Sequence, residues 1–361
     1  MAYEKITMAA GGREFEGWTS VSVVAEWGAA TRTFEIVVTE IGGFANGGVT
    51  KWHFPPSTPV SLYANGSLLL TGSVDKYNPQ IGPQEHTVTI RGRGTGMGIV
   101  DCSVKHPTGQ FENKTILQIA QELSGPFGVT ISALSSAADV AARVVPWFQV
   151  QRGATVWSQI MRLLPQIGAT LTGQADGSVA IMRCEPKEHP GGLTEGENIL
   201  QASADWDDSG RFEDYEVTGQ SSIGTEDENF EVSGEASGAS MGQYRYTETI
   251  DQAETDAGRA REHATWQMLR AAGLCRQAEI TVPGFRDGAG ALWEPGQTVF
   301  TFSPSLKLEQ PMMIKTANFV QSSEEGTVTH LTLVDPRTGG GAGGDYDGGG
   351  WDVFEGHGGA R

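Results

Sequence analysis

Apolar and polar residues alternate along several short runs in the first hundred residues. The clearest runs are Thr33–Val38, Pro59–Tyr63 and Thr87–Arg91. A period of two places one face of a strand on a core and the other in solvent. Asn65-Gly66, between two apolar runs, predicts a tight hairpin. Short strands at this spacing predict a small β-barrel or sandwich over residues 1–100.

The same alternation returns near the end of the chain, over residues 275–336. It predicts four strands, at Ala278–Val282, Thr298–Phe302, Met312–Phe319 and Thr327–Val334. This region echoes the first one. Three segments of the first region, Val60-Ser-Leu, Leu70-Thr-Gly-Ser-Val-Asp and His86-Thr-Val-Thr-Ile, can be laid beside Val299-Phe-Thr, Ile314-Lys-Thr-Ala-Asn-Phe and Val328-Thr-His-Leu-Thr-Leu. We therefore expect two similar small β-barrel domains.

Between these regions the period changes to that of helices, and one pattern occurs twice, 40 residues apart. Thr115, Leu123 and Gly128 of the first copy correspond to Thr155, Leu163 and Gly168 of the second. The first copy predicts a helix over Lys114–Leu123 capped by Asn113, a stop at Gly125-Pro126 and a strand at Val129–Ile131. The second predicts a cap near Gly153–Thr155, a helix ending by Pro165, and a hairpin of Ala169–Thr172 with Ser178–Met182. Residues 101–186 therefore read as an α+β domain built on a helix-strand duplication.

Residues 187–274 are acidic, loop-rich and poor in apolar runs. They predict strands at Phe212–Thr218 and Phe230–Ser233, followed by one long helix over 251–272 that Asp251 and Glu254 cap. The apolar stripe of this helix consists of small residues and one methionine, which predicts close packing on a sheet or a partner: Ala253, Ala257, Ala260, Ala264, Met268 and Ala271. Residues 337–361 are rich in glycine and predict a flexible tail. Trp351 and Phe354 in that tail are either a short adhesive peptide for a partner or part of an inert tail.

The bulk composition excludes several classes of protein. The formal net charge of −19 repels nucleic-acid phosphate, so a DNA-reading role is not expected. Cys102, Cys184 and Cys275 are odd in number and far apart, which argues against a disulfide framework. The first residues carry no apolar signal region, so we expect no Sec export.

Candidate chemistry is sparse. The seven histidines have no metal-ligand spacing with one another or with cysteine: His53, His86, His106, His189, His263, His330 and His357. The glycines from Gly92 to Gly98 fail the dinucleotide pattern at Met97 and precede no βαβ unit. Asp205, Asp207 and Asp208 lack the spacing of an EF-hand loop, which leaves an ion at Asp205–Asp208 open. Glutamates are too plentiful to single out a glycosidase pair. We predict no catalytic, cofactor-binding or metal site, and thus a protein that is not an enzyme.

The order of the parts resembles a known family. Two segments carry most of this resemblance: His86-Thr-Val-Thr-Ile-Arg-Gly-Arg-Gly-Thr-Gly-Met-Gly-Ile-Val-Asp-Cys-Ser at the end of the first β-region, and Gly290-Ala-Leu-Trp-Glu-Pro-Gly-Gln-Thr-Val before the last strands. The paired helix-strand units, including Phe148-Gln-Val-Gln-Arg-Gly-Ala-Thr-Val-Trp-Ser-Gln-Ile, lie between them. The chain resembles the baseplate hub proteins of contractile-tailed, Mu-like bacteriophages, which are also grouped with the late control protein D family. The resemblance covers about residues 1–336, and residues 220–245 and the tail match less well.

This resemblance implies a mainly β protein with an α+β part that assembles into a homotrimeric ring. Such a ring adapts the sixfold tail tube to the threefold membrane-piercing spike and lets DNA pass without binding it specifically. The implied partners are two further copies of the chain, the spike protein, and the tube and baseplate proteins, with no membrane insertion of its own. The implied location is the tail of the virion, after assembly in the host cytoplasm.

Two other kinds of protein stay open. One is the hub of a contractile effector-delivery machine of the type VI kind, in which a long spike follows the second barrel in the same chain. The other is a cell-wall hydrolase or a glycan-binding β-protein. Peptidoglycan clearing in a zymogram would favour the hydrolase, and glycan-array binding would favour the glycan-binding protein.

Overall fold

A computed structural model describes residues 4–39, 53–82, 86–220, 231–238, 242–251 and 255–339. Of the predicted Gly-rich tail, residues 340–361 with Trp351 and Phe354 lie outside these residues, as do Ala253, Glu254 and Phe230. The start predicted for the tail is wrong, because Pro336–Gly339 form a 3-10 helix in which Thr338 and Gly339 are buried. None of the described helices is long and apolar enough to cross a membrane.

The first region forms seven strands whose side chains alternate between buried and exposed. They are β1 (Ile6–Ala10), β2 (Arg13–Phe15), β3 (Ser20–Glu26), β4 (Thr33–Thr39), β5 (Pro59–Ala64), β6 (Ser67–Ile81) and β7 (His86–Gly94). The Asn65-Gly66 hairpin is confirmed, since both residues have positive φ, 45° and 81°, as a turn matched to strand twist requires.

The middle region has a helix followed by a strand in each of the two repeated segments. Its elements are α1 (Met97–Asp101), β8 (Gln110–Thr115), α2 (Ile116–Ser124), β9 (Ile131–Ala133), α3 (Ala138–Ala141), β10 (Val144–Gln149), α4 (Val156–Ile160), β11 (Thr170–Gly173) and β12 (Val179–Met182). The strands β9 and β11 of the two copies both pair with β12, one parallel and one antiparallel. The two copies thus share one small sheet, with their helices packed on one core.

The cap that the sequence predicted for the first helix is wrong. Thr115, not Asn113, caps α2, because its hydroxyl accepts the Gln118 N–H while the Gln118 side chain accepts the Thr115 N–H. Asn113 lies within β8 with φ of 51°. Thr155 caps α4 by accepting the Ser158 N–H, without a reciprocal side-chain bond, and its backbone angles are within one degree of those of Thr115. The two threonines therefore have nearly the same backbone conformation.

The third region holds β13 (Glu188–Thr194), β14 (Gln201–Trp206), β15 (Asp214–Gln220), β16 (Glu231–Ser237), β17 (Tyr246–Ile250) and α5 (Ala257–Leu274). The predicted helix start is wrong: Asp256 caps α5 by accepting the Arg259 N–H, whereas Asp251 pairs with His263. The predicted small-residue packing is confirmed from Ala260 onward, whereas Ala257 is exposed. Ala260 and Ala264 are fully buried, and Gly234 lies so close to α5 that a Cβ there would sit 2.1 Å from the Arg261 nitrogen.

The last region forms β18 (Arg276–Pro283), β19 (Thr298–Ser303), β20 (Leu308–Ser322) and β21 (Gly326–Val334), so all four predicted strands are confirmed. Within the described residues these four strands, the seven of the first region, and β13 and β14 form one 13-stranded sheet. Its main path is β14-β18-β21-β20-β3-β4-β7-β6-β5-β1-β2, and β13 and β19 attach to it through β20.

Two separate closed barrels are not found among the described residues. The second half of β20 pairs with β21 on one side and with β3 on the other, so the two halves join in a single ladder that stays open. Buried residues of both halves, from Ile6 to Leu333, also form one hydrophobic core. The coarser prediction, a mainly β chain with an α+β part, is confirmed.

Candidate assembly interface

The candidate residues for ion binding and for dinucleotide binding serve local structural roles. Hydrogen bonds from the Ser209 side chain and then from the Ser209 N–H lower the pKa of Asp207, and Asp208 pairs with Arg211 three residues on. Gly92 lies where a Cβ would sit 2.2 Å from the Ser73 carbonyl oxygen, so it allows β6 and β7 to approach closely. No group of three or more His, Cys, Asp or Glu side chains in the described part of the chain is arranged to hold a metal ion.

Two buried histidine–aspartate pairs were not predicted. His189 Nδ1 lies 2.8 Å from Asp287 Oδ2, and both side chains are at most 2% exposed. Burial opposes the charge on Asp287, but hydrogen bonds from His189, Ala291 and Ala289 outweigh it and lower the pKa of Asp287. His263 pairs with Asp251 at 3.0 Å. The partners lie 98 and 12 residues apart, and sequence spacing carries no signal for such pairs.

The pair of His189 and Asp287 fixes a loop and is buried away from solvent. Asp287 also accepts the N–H groups of Ala289 and Ala291, which closes the turn before the last strands. His189 Nε2 in turn accepts the Glu294 N–H at 3.4 Å. Because a general base must reach a substrate proton, a dyad sealed from solvent points to a structural role.

A cleft of about 730 Å³ opens beside β14, between it and α5. Asp205, His263, Trp266 and Arg270 contribute to its walls. Its polar groups already serve the fold: His263 is held by Asp251 and Gln267, and Arg270 lies over the Trp266 ring at 5.1 Å. The described surfaces that are best suited to bind another chain are instead the unpaired edges of the large sheet.

The two halves of the large sheet repeat each other closely. In one half the order is β3-β4-β7-β6-β5, and in the other it is β14-β18-β21-β20-β19. The long strands β6 and β20 both have 15 residues, and each carries a register shift after Val74 or Ile314. The structure therefore places Val74 at the position of Ile314, whereas the sequence comparison had set Leu70 there.

The turn that leads into the repeated strands is the same in both halves. The Ser57 N–H donates to the Val74 carbonyl and the Gly296 N–H to the Ile314 carbonyl, at 2.7 and 2.8 Å. Ser57 and Gly296 both have positive φ, 70° and 85°. Val60 then corresponds to Val299, as the sequence echo predicted. The segment Phe54-Pro-Pro-Ser is thus the counterpart of Trp293-Glu-Pro-Gly, with Phe54 and Trp293 both buried.

The junction between the halves is a seven-residue antiparallel ladder of β3 with β20, from Ser20–Ser322 to Glu26–Thr316. The Ser22 hydroxyl donates to Asn318 Oδ1 across it at 2.7 Å, and the Trp27 N–H donates to the Lys315 carbonyl. Beside the junction, the nearly buried Arg32 pairs with Glu294 of the other half at 2.5 Å. The halves are therefore held as one rigid unit.

Several strand edges of the large sheet carry no ladder within the described residues, and two of them expose apolar side chains. One is the second half of β6, Asp75–Ile81, on the side away from β7; the other is β14 on the side away from β18. Apolar side chains are exposed on both, with Ile81 at 72% and Trp206 at 48%. Open edges of this kind are templates for pairing with another chain.

Comparison with known proteins gives three matching family models that together cover most of the chain. Residues 5–94 match the N-terminal domain of Mu phage baseplate assembly protein GpP-like proteins, residues 97–183 the second domain of baseplate hub protein gp44-like proteins, and residues 256–339 the fourth domain of Mu phage baseplate assembly protein GpP. The first and last models fall on the two halves of the sheet.

Whole proteins match as well. The baseplate hub protein gp44 of Escherichia phage Mu is 26% identical over 348 residues, which are 92% of this chain and 88% of that protein. The 43 kDa tail protein of prophage MuSo2 from Shewanella oneidensis superposes with a TM-score of 0.80 at 24% identity, covering 93% of this chain and 99% of that one. The E. coli c3393 protein, a component of the type VI secretion system, superposes with a TM-score of 0.56 at 8% identity, covering 91% of this chain and 76% of that one, which shows a shared fold.

Proposed function

Because the chain belongs to the Mu-like family of phage baseplate hub proteins, we propose that it forms a homotrimeric ring that adapts the sixfold tail tube to the threefold spike. The repeated half-sheets are the observation that carries this proposal. Three chains with two similar halves each present six similar surfaces on one side, while the other parts of the chain repeat three times.

Closed rings of identical chains need one head-to-tail interface that closes after a fixed rotation. The junction of β3 with β20 already sets two similar halves side by side within one chain. A similar junction between chains continues that arrangement around a ring. The two barrel-like halves, the α+β domain of residues 101–186 and the acidic segment of residues 187–274 are the domains of the proposed hub.

DNA passes through this ring without being bound specifically. The net charge of −19 supports this, because an acidic or neutral lumen does not trap phosphate. The partners are the spike, the tube and other baseplate proteins, with assembly in the host cytoplasm and no catalytic step. An electron cryomicroscopy map of the ring with a lumen lined by Lys and Arg would contradict the passage of DNA without binding.

Mass measurement in solution tests the ring. We expect a trimer, near three times 38.5 kDa, over micromolar concentrations. A protein that stays monomeric at every concentration contradicts the proposal. Detection of the chain in the tails of purified, DNA-filled particles by mass spectrometry separates a phage hub from the hub of an effector-delivery machine.

A further inference from the structure

The two halves of the sheet differ at one edge. The second half of β20 has β3 on its outer side, with seven paired residues. The second half of β6 is the counterpart of that segment, yet the described residues give it no strand on its outer side. The strand that would fill the place must be the counterpart of β3, and the pairing pattern shows which strand that is.

Register identifies β14 as the counterpart of β3. β3 pairs with β4, β4 with β7 and β7 with β6; in the other half β14 pairs with β18, β18 with β21 and β21 with β20. Following the paired residues through both halves sets Ser20 at the position of Gln201, and Ser22 at that of Ser203. On the long strands, Asn318 falls at the position of Asn78 and Val320 at that of Gln80.

We propose that the second half of β6 in one chain pairs antiparallel with β14 of a second copy, in the register that β20 and β3 have within the chain. The paired residues are Lys76 with Asp207, Tyr77 with Trp206, Asn78 with Asp205, Pro79 with Ala204, Gln80 with Ser203 and Ile81 with Ala202. This inference rests on the proposed ring and names the contact that closes it.

The side chains match in this register. On the core side, every pair is apolar or aromatic: Tyr77 and Ala204, among others, already pack against the hydrophobic core. On the outer side every pair is polar, and Lys76 opposes Asp207. A shift by one residue would set each polar side chain against the core face of the neighbouring strand. Apolar pairing also covers Ile81, which is 72% exposed in the single chain.

One hydrogen bond of the internal junction is reproduced by identical residues. Ser22 and Asn318 form it within the chain at 2.7 Å. Their counterparts are Ser203 and Asn78, again a serine and an asparagine. Because the same two residue types recur at the matching positions of the two open edges, a second copy of the chain fits these edges better than an unrelated protein.

The backbone groups of both edges also point the right way. The Asp207 N–H donates to the Cys275 carbonyl, so odd-numbered residues of β14 face β18 and even-numbered ones face outward. The Gly94 N–H donates to the Arg32 carbonyl. By the same alternation through β7, the residues of β6 that face outward are Tyr77, Pro79 and Ile81. These are the residues that the proposed register sets against Trp206, Ala204 and Ala202.

Disulfide trapping tests the register. Gln80 and Ser203 are exposed and form a pair in which the backbone groups face away from each other, where cross-strand Cα atoms are closest. In the double variant Gln80→Cys with Ser203→Cys, mild oxidation should give covalent dimers and trimers on a non-reducing gel. The variant Gln80→Cys with Asp205→Cys, shifted by two residues, should give far fewer. The chain with its three native cysteines alone measures the background.

The internal junction supplies a matched positive control. Val320 and Ser22 are the counterparts of Gln80 and Ser203 and are paired within the chain. The variant Val320→Cys with Ser22→Cys should therefore form a disulfide in the monomer. A second pair, Asn78→Cys with Asp205→Cys, should link chains in the same way as the first, and circular dichroism of the reduced variants checks that they fold.

The outcomes separate this inference from the proposed function. A trimer by mass in which neither pair links chains, or in which the shifted pair links equally well, overturns the register and leaves the ring standing. Disulfides formed within one chain overturn it too. A protein that is monomeric at every concentration and gives no linked species overturns both.

Discussion

At the scale of single residues, the sequence predicts which positions are buried or repeated better than it predicts which residues they contact. Leu123 was placed in the core of the α+β domain, and it is fully buried there. Thr115 was recognised as a repeated position, yet its capping role was given to Asn113. The sequence suggests Asp205, Asp207 and Asp208 together as ion ligands, although Asp207 and Asp208 make separate contacts within one turn, with Ser209 and Arg211. The residue type limits the interactions that a side chain can make, and its neighbours in the fold decide which of these interactions form.

Leu123→Asp should destabilise the α+β domain by several kcal/mol, because it places an unpaired charge where no hydrogen-bond partner or water is available. Thermal unfolding followed by circular dichroism should show a melting temperature lowered by many degrees. The exposed Glu112→Gln serves as the control and should change it little. An unchanged melting temperature for Leu123→Asp would show that the assigned core stripe is wrong.

The buried pair of His189 and Asp287 should make stability depend on pH in acid. The pKa of Asp287 is lowered in the folded chain, so its contribution is present above the ordinary value of 3.8 and is lost as the pH falls through the lowered pKa. Asp287→Asn removes that contribution. Urea unfolding at a series of pH values should show a less stable variant at pH 7 and a smaller difference from the parent at pH 2; equal differences at both would contradict the assignment.

At the scale of elements, the sequence predicts an element well where all the residues that determine it lie close together in the chain. The Asn65-Gly66 hairpin and all four strands of the last region formed as predicted, because alternation over five or more residues outweighs alternative pairings. Helix starts were predicted less well, since α5 begins at Ala257, six residues after the predicted residue 251. Several acidic residues near a helix start are equally able to cap it, and tertiary packing of Ala260 on β16 selects among them.

The duplicated helix-strand unit gives a paired test at this scale. Thr115→Ala and Thr155→Ala should each cost about 1 kcal/mol, because each removes the side chain that accepts an N–H at the first turn of its helix. Urea unfolding should give similar losses for the two variants. Thr130→Ala, at an exposed position of the same domain, is the control. A large loss for one copy alone would show that only that cap matters to the fold.

At the scale of the whole molecule, the sequence predicts the order of the regions but not how their strands pair with one another. The sequence indicated two similar β-regions flanking an α+β domain. It did not indicate that β20 would pair with β3, about 300 residues away in the chain, and so merge both regions into one sheet. That pairing depends on edges that face each other only after both halves have folded.

Ala204→Pro should weaken the proposed trimer while leaving the single chain folded. The Ala204 backbone faces the open side of β14, so proline there removes a donor that the single chain does not use. Its proposed partner is Pro79, which has no N–H either, so this pair would lose all its hydrogen bonds. Mass measurement across concentrations should show a shift from trimer to monomer, with Thr130→Ala, at an exposed position of the α+β domain, as the control. A trimer of unchanged strength would contradict the role of this edge.

The sequence by itself determined the period of each region, the repeated units and the resemblance to baseplate hub proteins, because these are carried by residues close together in the chain. Tertiary structure decided which buried partners meet, such as His189 with Asp287, and which strands pair across the molecule. It also decided that both halves share one core and that two edges are left open. These features depend on contacts between residues up to about 300 positions apart, and the alternation of apolar and polar side chains is equally compatible with many such pairings.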